Sequence, residues 1–219
     1  MANKMEIKHF DSKLAANLAI VDSIKDYCRV NESKSIKMLL SGGSSPIQLY
    51  ELMAKELQYV VALNIGLVDE RFVITSDDYS NEKLIRNYFH TAEITGLVKN
   101  IGNYEDNLIE VEREFKFFYS ELDVAIIGMG NDGHFASIFP SDENSSFALQ
   151  TNSKCLMNTC APNYPHQRIT CSAGLLGSAN KIILLIFGEE KKSILKQFYK
   201  DLPIHQFLNK FQVEIYYAN

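Results

Sequence analysis

Apolar residues along this chain fall mainly into short, nearly unbroken runs. They span Ile36 to Leu40, Leu63 to Val68, Val124 to Ile127, Ile182 to Phe187 and Val213 to Tyr217. Runs of this length and composition predict strands covered on both faces, as in parallel sheets. Between them the apolar spacing turns helical, over Asp11 to Tyr27, Pro46 to Lys55, Asn81 to Phe89, Asp106 to Tyr119 and, after Gly188, Glu189 to Tyr199. Alternation of strand and helix predicts an α/β sandwich built on a mostly parallel sheet. Ligands of such sheets bind beyond the carboxyl ends of the strands. Three loops begin there: SGGSSP after Leu40, VDERF after Leu67 and GMGNDGH after Ile127. Each follows a predicted strand directly, so the three are expected at one edge of the sheet.

No Pro/Gly/Ser-rich linker divides the 219 residues, and one domain spanning 1–219 is expected. A net charge of -5 without a basic block argues against nucleic acid as a partner. The polar start MANKMEIKHFDSK lacks the core of a signal peptide, and no run approaches the roughly 18 apolar residues of a membrane helix. A cytoplasmic protein without membrane attachment is expected. Cys28, Cys155, Cys160 and Cys171 show neither C-x-x-C nor disulfide-framework spacing, which predicts buried free thiols.

Ser41-Gly42-Gly43-Ser44-Ser45-Pro46 joins a strand to a helix and permits two readings. Its glycines let backbone approach a ligand, and free amides at the helix start with a Ser44 or Ser45 hydroxyl suit phosphate or carboxylate. Alternatively it is a tight turn with a serine N-cap. A nucleophile elbow is disfavoured, because G-x-S-x-G requires glycine where Pro46 stands. Asp69-Glu70-Arg71 could send one carboxylate and one guanidinium into the cleft, the arginine fork being suited to phosphate. The alternative is a surface ion pair of little energetic worth.

Gly128, Gly130 and Gly133 formally satisfy the dinucleotide fingerprint G-x-G-x-x-G. That fingerprint needs a full crossover helix and an acidic residue about 20 positions on, at the end of the next strand. Pro140 stops the helix early, and the candidate strand Lys154 to Thr159 ends without Asp or Glu, so no nucleotide cofactor is expected. What remains is a glycine turn presenting Asp132 and His134. An imidazole with an ordinary pKa near 6.5 can take a proton from water, and a carboxylate such as Asp132 can orient it. His9, His90, His166 and His205 lie outside any such loop. No metal-ligand spacing occurs, so no metal is expected. Arg168 in HQRIT and Lys191 in FGEEKKS add cations that could close around a phosphate in an otherwise acidic chain.

At these residues the chain resembles the 6-phosphogluconolactonases, which are related in fold to glucosamine-6-phosphate deaminase and ribose-5-phosphate isomerase. The matching pieces are LSGGSSPIQLYELM, VDERFV followed by DDYSN, AIIGMGNDGHFASIFP, QRIT and FGEEKKSIL. The resemblance implies a doubly wound α/β fold with helices on both faces, no metal, no nucleotide, and hydrolysis of 6-phospho-D-glucono-1,5-lactone to 6-phosphogluconate. It implies His134 as general base. It also implies a phosphate site at Gly42, Gly43, Ser44, Arg168 and Lys191, with Asp69 and Arg71 along the cleft. Phe135 and Asn131 depart from the residues usual in these lactonases.

The deaminase branch is the nearest alternative. It carries glutamate where this chain has Phe139, and an apolar residue cannot assist sugar-ring opening; Arg71 and the Ser80-Asn81 pair also favour the lactonase. A sugar-phosphate sensor without turnover would keep the phosphate cradle but have no use for the histidine. In the expected mechanism His134, supported by Asp132, activates water. Amides of the Gly130 to Gly133 turn, or a nearby cation, then stabilise the oxyanion. The expected partner is a small sugar-phosphate lactone, and the expected state a monomer or weak homo-oligomer.

Overall fold

The computed structural model describes residues 6–57, 59–197 and 202–219. In chain order the elements are β1 (Ile7–Phe10), α1 (Lys13–Val30), β2 (Ser35–Leu40), α2 (Ile47–Glu56), β3 (Ala62–Leu67), β4 (Asp69–Arg71), α3 (Asn81–Arg86), β5 (Glu93–Thr95) and α4 (Tyr104–Ser120). They continue with β6 (Val124–Ile127), α5 (Glu143–Gln150), β7 (Leu156–Cys160), β8 (Gln167–Cys171), α6 (Ala173–Leu176), β9 (Lys181–Phe187), α7 (Glu189–Lys196), α8 (Pro203–Lys210) and β10 (Glu214–Ala218). The C-terminal part of the helix expected over Glu189 to Tyr199 lies outside the described residues.

The five strands expected from apolar runs all enter one seven-stranded sheet of order β1-β10-β9-β6-β2-β3-β5. Every pairing in it is parallel. All four residues of β6 are fully buried, as expected of a central strand covered on both faces. From β2 the chain steps outward to β3 and β5, then returns to place β6 on the other side of β2. Right-handed crossovers therefore put α1 and α2 on one face and α4 on the other. Hydrogen bonds from Asn17 to Gln48 and from Lys25 to Glu56 join α1 to α2 directly. On the opposite face Phe115 and Phe118 of α4 reach the bare backbone of Gly66 in β3.

A second, antiparallel sheet of order β4-β8-β7 departs from the first at Val68. Val68 N–H donates to Leu40 O in the main sheet, and Val68 O accepts from Cys171 N–H at the end of β8. Asp69–Arg71 of the VDERF segment is thus a strand rather than a loop. Its three charged side chains hide it from any apolar-pattern reading. No helix forms between Gly130 and Pro140. The segment is a chain of turns closed by an isolated bridge, Phe135 to Ile138, with Ala136 held at φ 50°.

The cysteines are unpaired, but only Cys28 and Cys171 are buried. Cys155 is partly exposed and Cys160 exposed, correcting the expectation of buried thiols throughout. Among the described residues no helix is long and apolar enough to cross a membrane.

Candidate active site

The reversal of strand order at β2 leaves a crevice between the carboxyl ends of β2 and β6, the place where such sheets bind ligands. The strands end level: Leu40 is in register with Leu67 of β3 and Ile126 of β6, and Ser41 N–H donates to Ile126 O. A cavity of about 260 Å³ occupies this crevice. The three loops meet in its lining, which includes Gly42, Gly43, Ser44, Asp69, Arg71, Gly130, His134 and Lys191.

The serine loop enters α2 without a side-chain cap. Pro46 occupies the N-cap position, and neither serine binds the first amides. The serine N-cap reading is therefore wrong. Amides of the first helical turn stay available at the positive end of the helix dipole, as anion binding requires. The fully buried Tyr50 hydroxyl donates to Ser41 O at 2.5 Å and pins the start of the loop.

Asp69 and Glu70 do not form a surface ion pair either. Asp69 is buried and accepts from the Ser137 hydroxyl at 2.5 Å, tying β4 to the histidine segment. Glu70 turns into the protein and accepts from the amides of Arg71, Asn81 and Glu82 and from the Ser80 hydroxyl. It closes the N-terminus of α3, a structural task. Burial pushes its carboxyl up to about 7, with the four donors pulling against that rise.

His134 sits over Gly130, whose lack of a side chain makes room for the ring. An added Cβ would lie 2.2 Å from imidazole Cε1. Nδ1 is 2.5 Å from Asp132 Oδ1, which fixes the ring and leaves Nε2 without a protein partner among the described residues. Burial alone would raise the Asp132 carboxyl, but the hydrogen bond and charge of His134 prevail and hold it below its ordinary value. Phe139 flanks the imidazole at 4.9 Å between ring centres. Two of the turn's amides are already engaged: Gly130 N–H donates to His134 O and Gly133 N–H to Gly130 O. The expected oxyanion role is thereby removed from both.

Three expected site residues lie outside the lining. Asp132 stands behind the histidine. Gly133 (φ 78°) packs on Leu202, and its oxygen accepts from Ile204 N–H. Arg168 lies directly across the β4–β8 ladder from Arg71. It is 7% exposed, and its buried Nη1 has no hydrogen-bond partner. Burial, and then the Arg71 charge, lower its pKa. The two arginines are cross-strand neighbours, and the nearby Asp69 and Glu70 charges partly offset the repulsion between them. Lys191, in the first turn of α7, lines the cavity, and burial lowers its pKa. The Lys191 and histidine segments are joined by the hydrogen bond from Asn131 to Glu190. The other unusual residue, Phe135, is core, packed on Phe207 at 4.5 Å. Asn81 and Ser45 also line the cavity. Ser45 is the alternative hydroxyl expected of the serine loop; Asn81 is missing from the expected site residues, although the Ser80-Asn81 pair and the N-cap pattern at Ser80 mark the place.

Comparison with known proteins identifies the family of the chain. Residues 11–215 match the family described as glucosamine-6-phosphate isomerases/6-phosphogluconolactonase. A 6-phosphogluconolactonase of Helicobacter pylori is 31% identical over 97% of this chain and 98% of its own. One from Neisseria meningitidis is 29% identical over 95% of this chain and 97% of its own. The crystal structure of a 6-phosphogluconolactonase from Shewanella baltica superposes with a TM-score of 0.89 at 28% identity, covering both chains completely. The chain therefore belongs to the glucosamine-6-phosphate isomerase/6-phosphogluconolactonase family.

Proposed function

We propose that this protein is a 6-phosphogluconolactonase, hydrolysing 6-phospho-D-glucono-1,5-lactone to 6-phosphogluconate, with His134 as the general base. The observation that carries this reading is the pairing of His134 Nδ1 with Asp132 at 2.5 Å, which leaves Nε2 as the ring's available basic atom at a cavity holding cations. The phosphate docks against the free amides of α2, Ser44 and Lys191, with the Arg71–Arg168 pair completing the charge. That anchorage holds the lactone carbonyl beside the imidazole. Nε2 removes a proton from water as it attacks the carbonyl carbon, Asp132 stabilises the resulting imidazolium, and the ring C–O bond then breaks with the proton returned to the leaving oxygen. The step requires no covalent enzyme intermediate. With Gly130 and Gly133 engaged, the oxyanion is left to the amides of Asn131 and Asp132 or to a cavity cation.

Phe139 supports hydrolysis over the deaminase-type isomerisation. Its ring occupies the flank of His134 where the deaminases carry a carboxylate, so a second proton-transfer group is absent there. The test is a pH-stat assay with fresh lactone beside an ammonia-release assay with glucosamine 6-phosphate. Wild type should release acid only, and His134→Ala should lose ~10²–10⁴ in kcat while inorganic phosphate still binds. Wild-type turnover by His134→Ala would refute the histidine's role.

A further inference from the structure

One residue in the cavity lining is used by neither the phosphate cradle nor the histidine segment. Asn81 is 2% exposed and opens α3. Its main-chain N–H donates to Glu70 Oε1 at 2.8 Å. Its side-chain Nδ2 donates to Asp69 O at 2.9 Å and lies 3.5 Å from Asp69 Oδ1. With the nitrogen committed to Asp69, the side-chain oxygen faces Gly42. A Cβ built on Gly42 would lie only 1.7 Å from that Oδ1. The glycine is required because the amide oxygen takes the place of its side chain. No donor among the described residues reaches Oδ1.

Oδ1 is not among the fully enclosed unpartnered atoms, so it is open to the cavity that Asn81 lines, and a donor in that cavity can reach it. A phosphate dianion and an ester carbonyl are acceptors and cannot supply one. The groups on a sugar lactone that donate are its ring hydroxyls. We infer that Asn81 is a specificity-determining residue whose Oδ1 accepts a hydrogen bond from a ring hydroxyl of the substrate, with Gly42 present to admit it. The inference rests on the lactonase reading and adds the part of the substrate that is recognised between the phosphate and the ester. Glu70 contributes as a positioning residue, because its carboxylate fixes the turn from which Asn81 projects.

The test uses the full chain as wild type, Asn81→Ala and Gly42→Ala. Each is assayed with the parent lactone and with its 2-deoxy and 3-deoxy counterparts carrying the same phosphate arm, and inorganic phosphate inhibition reports on the cradle. Wild type should prefer the parent over at least one deoxy lactone by about tenfold in kcat/KM, the loss expected for one hydrogen bond. Asn81→Ala should erase that preference by slowing on the parent alone, with phosphate inhibition unchanged. Gly42→Ala, which displaces Oδ1 while keeping Asn81, should erase it too. Should Asn81→Ala fail to fold, wild type and Gly42→Ala decide. A wild type indifferent to both hydroxyls, or variants that keep the preference, would overturn the inference and leave the lactonase reading standing. A wild type inactive on every lactone would overturn both.

Discussion

Replacing Gly130 with alanine isolates the placement of the imidazole from its presence. The new Cβ would stand 2.2 Å from His134 Cε1, 2.3 Å from Nδ1 and 2.8 Å from Asp132 Oδ1. Restoring an ordinary contact of 3.4 Å requires the ring to retreat by 3.4 − 2.2, or roughly 1.2 Å. The atoms met belong to side chains about one-third and one-half exposed, so they yield while the backbone stays in place. A misplacement of about 1 Å typically lowers the rate ~10²-fold, equivalent to about 2.7 kcal/mol of barrier. Gly130→Ala should therefore melt close to wild type, bind inorganic phosphate normally, and lose about two orders of magnitude in kcat in a pH-stat assay. Combined with His134→Ala it should add nothing, since both changes remove one function. Wild-type kcat in Gly130→Ala, or full additivity in the double variant, would refute the claim that the ring works from the position seen here.

Arg168→Gln should raise KM by about tenfold or more, the worth of a charge-assisted hydrogen bond of about 1.5–3 kcal/mol, with a smaller effect on kcat. Steady-state kinetics check it, and an unchanged KM removes Arg168 from substrate binding. Gly66→Ala places a Cβ 2.7 Å from Leu39 Cδ2 and 3.0 Å from Phe118 Cζ. This overpacking should destabilise by ~1–3 kcal/mol in urea titration with kcat unaltered. Glu214 tests acid stability. Burial alone would raise its pKa, but Lys181, Lys8 and the Tyr216 hydroxyl outweigh that and hold it at about 2, against an ordinary 4.5. A depressed carboxylate stabilises fully above pH 4.5 and loses that contribution as pH falls toward 2. Glu214→Gln should therefore cost about 1 kcal/mol at pH 7, discounted for its exposure, and flatten the fall in urea midpoint through this window. An equally steep acid limb in the variant would contradict the assignment.

The strands legible in the sequence were those whose environment is apolar on both faces, because burial of a parallel strand writes itself into composition. Val124–Ile127 was read to the residue. Elements held by polar pairing left no such mark. Strand β4 consists of Asp69, Glu70 and Arg71, each paired across the ladder with a residue of β8 far away in sequence, and β5 and α6 are too short to show a period. Helix α1 runs three residues beyond its expected end at Tyr27 because the Asn31 backbone and side chain close it onto the Tyr27 carbonyl. The catalytic candidates were legible for a different reason. Glycine runs that follow strands advertise close approach of backbone to something, and His134 stood at one of them. Arg168 is visible as a cation, but its placement across from Arg71 depends on β4–β8 register, which local sequence does not encode. Asn81 was obscured because its partners, Asp69 and Gly42, lie on other strand ends.

These partnerships tie the loops around the cavity to one another. Each loop is secured by another: Ser137 binds Asp69, Asn81 binds Asp69 and rests on Gly42, and Asn131 binds Glu190 beside Lys191. A change in one loop would therefore misplace a group carried by the next. Phe135 lies inside the histidine segment yet faces the core and Phe207, where packing volume is what matters. Phe139 is the contrary case. Its ring borders the imidazole, so an acidic residue there would add a titrating group beside Nδ1 and Asp132. The apolar choice at that position leaves the histidine Asp132 as its carboxylate partner among the described residues, and the proposed hydrolysis, which moves one proton from water to a leaving oxygen, asks for no second one.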